Sequence, residues 1–97
     1  IRADYSEDYT IHVRHDDRTK VWIDGQLVFH NYCCGTFTGA NDLEAASPPT
    51  FPMVAGQWVP IEITFYNDRW SHDYLEVSWS SASQPLAHIG PNSLRCP

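Results

Sequence analysis

Apolar and polar residues alternate along most of this 97-residue chain, and that alternation constrains its fold more than any other feature. In YTIHVRH, Tyr9, Ile11 and Val13 fall on one face, with Thr10, His12 and Arg14 on the other. In WVPIEITFYN, the spacing turns Val59, Ile61, Ile63 and Phe65 inward, against Pro60, Glu62, Thr64 and Tyr66. Pro60 lies near the start of that strand, where a missing N–H costs little. DYLEVSWSS aligns Leu75, Val77 and Trp79 opposite Tyr74, Glu76 and Ser78. No window carries a convincing helical period, and only Ala40–Ser47 has room for one short turn.

Punctuation between these runs sets the connectivity. KVWIDGQLVFH breaks at Asp24-Gly25, and both residue types tolerate positive φ, so the segment reads as a hairpin. Gly, Ala, Ser, Thr and Pro dominate from Cys33 to Met53, which predicts a long surface loop of the kind that carries function. The tail SASQPLAHIGPNSLRCP is irregular and is expected to lie across a sheet edge. About five short strands with turns between them predict a single domain over residues 1–97, an all-β antiparallel sandwich.

Charge and composition narrow the partners. The formal charge is −6, with 12 acidic and 6 basic residues, so no basic stripe is available for a nucleic acid or an anionic membrane. No apolar run approaches the roughly 20 residues that span a bilayer, so no membrane insertion is expected. Aromatics at 13%, with four Trp, point to a packed globular domain. The chain opens without Met and reads as an excised module of a secreted or cell-surface protein. An odd cysteine count fits that setting: one of Cys33 and Cys34 bonded to Cys96, the other left for another chain. The alternatives are a bond between Cys33 and Cys34, whose adjacency fits disulfide geometry poorly, and three reduced thiols; a zinc site is disfavoured, since no CxxC or HxxxH spacing occurs. Asn31-Tyr32-Cys33 matches the cysteine variant of the N-glycan acceptor, and the Ser/Thr/Pro clusters suit O-glycans by composition.

Five histidines and many carboxylates are present, but no nucleophile elbow, metal-hydrolase or phosphate-loop motif joins them, so no enzyme is expected. Asp16-Asp17 stands apart, because it sets two like charges side by side where a strand stops. Either the pair is a solvated turn or it holds a hard cation, since calcium takes six to eight oxygen ligands and favours carboxylates. Adjacent side chains on an extended strand point to opposite faces, so a shared ion requires an unusual bend between them. A second polar cluster follows in NDRWSHDY. Asn67 offers a neutral carbonyl oxygen, Asp68 and Arg69 suit hydroxyl-rich ligands, and Trp70 has either a sugar-stacking or a packing role.

Taken in order, YSEDYTIHVRHDDRTKVWIDGQLVFHN, VAGQWVPIEITFYND, LEVSWSS and QPLAHIGPNSL resemble the PA14 domain family over about residues 5–94. The resemblance implies a PA14-like β-sandwich, apparently without the usual N-terminal strand or strands, so that one edge stands open. In lectin-like PA14 members, adjacent aspartates bind calcium across a cis peptide bond. The resemblance assigns that role to Asp16 and Asp17, with Asn67 and main-chain carbonyls from Arg69 and Ser71 completing the metal ligands. Asp68, Arg69 and Trp70 then contact the carbohydrate. Here Arg18-Thr19 replaces a frequent glycine after the aspartates, and the Cys33–Met53 segment is particular to this chain.

Two readings follow. One is a calcium-dependent glycan-binding module of an extracellular lectin or adhesin. The other is a structural PA14-like subunit of an extracellular fibre or matrix, in which neighbouring copies or another segment cover the open edge by strand addition and disulfides join chains. A smaller share falls to an accessory domain of an enzyme whose catalytic part lies elsewhere.

Overall fold

The computed structural model describes residues 1–38, 50–66 and 74–96. Strands are β1 (Glu7–Asp16), β2 (Thr19–Ile23), β3 (Gln26–Asn31), β4 (Cys34–Thr38), β5 (Thr50–Met53), β6 (Ile61–Phe65), β7 (Tyr74–Ser81) and β8 (Ala87–His88), followed by a 3₁₀ turn at Pro91–Ser93. They form two antiparallel sheets. The larger has the order β4-β1-β7-β8, with β5 also on β1, and the smaller has the order β3-β2-β6.

β1 organises the larger sheet because it is long and alternates without a break. Tyr9, Ile11, Val13 and His15 are all buried on its inner face. Ile11 pairs with Trp79 and Val13 with Val77, which puts the apolar face of β7 on the same side. A slip of one residue would turn every one of these side chains to water, so burial fixes the register. Val21 and Ile23 from β2 and Val28 and Phe29 from β3 complete the core from the second sheet. Tyr9 lies 4.9 Å from Trp79 and 6.2 Å from Phe51, ring centre to ring centre. Each buried Val, Ile or Phe contributes about 1.5–3 kcal/mol.

The Asp24-Gly25 hairpin forms as the sequence predicts, with φ of 51° and 78° at its two central residues. The segment between Cys33 and Met53 departs from the loop expected there. Its ends are strands: β4 pairs with His12–Asp16 of β1, and β5 pairs with Glu7–Thr10 on the same edge. Composition concealed them, because short Gly-, Thr- and Pro-containing strands form on an edge that β1 already presents. The helical turn expected at residues 40–47 lies outside the described residues.

The N-terminus is tied down. Arg2 bridges Trp58, the Val59 N–H donates to the Ile1 carbonyl (2.8 Å), and the Arg2 N–H donates to the Ser93 carbonyl (3.0 Å). The tail crosses the sheet as expected, through β8 on β7. β6 behaves differently from its pattern. Ile63 and Phe65 take inward register positions opposite Val21 and Thr19, yet they are 38% and 37% exposed. Leu75 on β7 is 36% exposed. Among the described residues, Ile61–Phe65 have no neighbouring strand besides β2.

Cys96 is a free, exposed thiol, so the bond expected from Cys33 or Cys34 to Cys96 is absent. Position explains this. Cys96 lines a cleft with Trp58, Pro60 and Ile61, at the start of β6. Cys34 pairs with Asp16, at the opposite end of the sandwich.

Candidate functional site

Three chain connections cross between the sheets at one end. β1 passes to β2 through Asp17-Arg18, and β3 passes to β4 through Tyr32-Cys33. The third leaves β6 at Tyr66 and resumes at Tyr74. Backbone pairing gathers all three. Asp16 lies opposite both Cys34 and Tyr74, Thr19 lies opposite both Asn31 and Phe65, and the Tyr66 N–H donates to the Arg18 carbonyl (2.8 Å). Asp16 and Asp17 sit at the centre, each half-buried, joined by a cis peptide bond.

Buried groups hold the second aspartate from behind. The His15 Nδ1–H and the Thr19 Oγ1–H (3.2 Å) both donate to the Asp17 carbonyl. His15 and Thr19 are fully buried, and the His15 ring meets the Phe29 ring edge-on with centres 5.4 Å apart. The main-chain oxygen of Asp17 is thus turned into the protein, and the acidic groups of this turn are the carboxylates of Asp16 and Asp17. Two adjacent hard-oxygen donors suit a hard cation. Among the described residues, no group of three or more His, Cys, Asp or Glu side chains is gathered for a metal. Asn67, Asp68, Arg69, Trp70 and Ser71, assigned to the metal and the sugar from sequence, lie outside the described residues.

The flank of the site is aromatic and cationic. The Arg18 guanidinium lies 4.5 Å from the Tyr32 ring centre, and His30 packs 4.5 Å from the same ring. The Asn31 side-chain oxygen accepts from the Cys33 N–H (3.1 Å) and shapes the crossing. Along β2 and β6, a shallow groove of about 410 Å³ is lined by Arg18, Lys20, Trp22, Thr64, Phe65 and Tyr66. Tyr66 is 63% exposed, and Trp22 is half-buried. Sequence reasoning passed over His15, Thr19, Trp22 and Tyr66. His15 was legible, since it continues the inward series of Tyr9, Ile11 and Val13. The groove was not, because it joins residues of β2 to residues of β6 across a pairing that the sequence does not print.

The PA14 domain family model matches residues 1–92. An anti-sigma factor domain-containing protein of known structure superposes with a TM-score of 0.80 at 22% identity, over 98% of this chain. The chain spans 30% of that protein's length, and at this identity the likeness speaks to the fold alone. No curated protein matches the chain.

Proposed function

Because the chain belongs to the PA14 domain family, we propose that it is a calcium-dependent carbohydrate-binding module that acts at the cell surface or in the secreted fraction. One observation carries this reading: a half-buried Asp16-Asp17 pair at the meeting point of three inter-sheet connections. The carboxylates of Asp16 and Asp17 hold the cation, with the Asn67 side-chain oxygen and the main-chain carbonyls of Arg69 and Ser71. A bound calcium ion neutralises the paired charges and accepts two vicinal hydroxyls of a sugar.

The remaining work falls to the chain's own residues. His15 and Thr19 fix the Asp17 backbone, so that the carboxylates are presented at little further entropic cost. Asp68 and Arg69 hydrogen-bond hydroxyls. Trp70, Trp22 and Tyr66 offer apolar ring faces to the C–H faces of a pyranose. Single sites of this kind bind weakly, and repeated display raises avidity.

The test is a glycan array read with calcium, with chelator, and with calcium restored after chelation. The expected result is a set of glycans bound only in the two calcium conditions. Binding indifferent to chelation removes the metal from the account, and no binding in any condition removes the lectin reading.

A further inference from the structure

We propose that the sugar taken by this protein carries a carboxylate, and that Arg18 and Lys20 receive it in the groove along β2 and β6. The inference rests on the carbohydrate-binding reading above and names the class of ligand, uronic acids and their glycosides. It starts from where the chain places its few cations. Acidic residues outnumber basic ones by 12 to 6, so an arbitrary patch of this surface is expected to be acidic. The groove is the reverse. Arg18 and Lys20 line it, and among the described residues its walls carry no carboxylate. Glu62 lies opposite Trp22 in register, yet it is not one of the lining residues.

The same walls supply what a sugar ring needs. Trp22 is half-buried and Tyr66 is exposed, so one ring is held by its surroundings and the other is presented to solvent. Their faces suit the C–H faces of a pyranose. Thr64, exposed and opposite Lys20, adds a hydroxyl that both donates and accepts. A volume of about 410 Å³ lies at the small end for ligand sites and suits a single monosaccharide.

The two cations have different parts. The Arg18 guanidinium is braced by the Tyr32 ring, 4.5 Å from its centre, and a guanidinium fork matches both oxygens of a carboxylate. Lys20 adds a second positive charge on the same groove, as a compact ammonium. A neutral sugar makes the ring contacts but gives neither cation an opposite charge.

The test is a nuclear magnetic resonance titration in calcium buffer. The probes are the methyl glycosides of glucuronic and galacturonic acid, each against its neutral parent, so that each pair differs only in a carboxylate against a hydroxymethyl group. In at least one pair the acid should bind roughly tenfold tighter, the worth of one charge-assisted hydrogen bond. It should shift the Trp22 indole N–H and the Thr64 amide. Arg18→Gln and Lys20→Gln should each remove most of that preference, and Tyr66→Ser should weaken acid and parent alike. Equal affinity within both pairs overturns this inference and leaves the proposed function standing, whereas no sugar binding at all overturns both. A preference for the acid that survives both glutamine variants would put the carboxylate on the metal and overturns it too. So does sodium acetate that displaces the sugar as well as the free uronate does, because the site would then be one for any anion.

Discussion

Replacing Tyr9 by Phe should stabilise the protein, although it removes a polar atom from a packed core. The Tyr9 ring is fully buried between Phe51 and Trp79, and its hydroxyl has no hydrogen-bond partner among the described residues. A buried hydroxyl without a partner costs about 1–3 kcal/mol of desolvation. Tyr9→Phe removes that cost and leaves a void smaller than a methyl group, worth less than about 1 kcal/mol. The ring contacts remain. The net expectation is a gain of about 1 kcal/mol, which in a domain of this size raises Tm by about 4–8 °C. Differential scanning calorimetry of the two proteins at one pH, with urea titrations to compare m-values, measures it. Phe51→Ala is the contrasting variant: the same cluster loses a whole ring, and stability should fall by about 3–5 kcal/mol. A loss of 1 kcal/mol or more in Tyr9→Phe, with m unchanged, would show that the hydroxyl is bonded and that the reasoning is wrong.

Two further outcomes follow from other parts of the molecule. Thr19→Val deletes the buried hydroxyl that donates to the Asp17 carbonyl, so urea denaturation should show a loss of about 0.5–1.5 kcal/mol, with weaker calcium binding alongside; unchanged stability would remove Thr19 as a strut. The Glu7 carboxyl accepts from the Ser81 hydroxyl and from the Ser83 N–H, and these bonds hold its pKa below the ordinary 4.5. Its contribution is therefore complete above about pH 4.5 and fades as pH falls through the lowered folded value. Glu7→Gln should flatten that acid limb in a pH series of thermal midpoints, and an equally steep limb in the variant would assign the loss to other carboxylates.

What the sequence disclosed and what it concealed divide along physical lines. Tyr9, Ile11 and Val13, and the turn at Asp24-Gly25, were legible because each rests on local rules: side chains alternate along a strand, and few residues accept positive φ. The adjacent aspartates drew notice because like charges at a strand end call for a reason, and the family resemblance anticipated their cis bond. β4 and β5 were missed because their stability comes from the edge of β1 and not from their own composition. Ile63, Phe65 and Leu75 were expected to be buried. Alternation assigns a face, but covering that face depends on a neighbour that the pattern does not encode. Thr19 belongs to the same class, since its value lies in a carbonyl two residues away that only the bend at Asp17 turns toward it. The pairing of Cys96 failed because counting cysteines ignores distance, and the two ends of a sandwich do not meet.

Calorimetric titration of calcium into chelator-stripped protein, beside the Asp16→Asn/Asp17→Asn variant, tests the central claim most directly. The account predicts saturable binding near one ion per chain in the parent protein and none in the variant, with both proteins folded by circular dichroism. Equal affinity in the two proteins, or no heat in either, would contradict it.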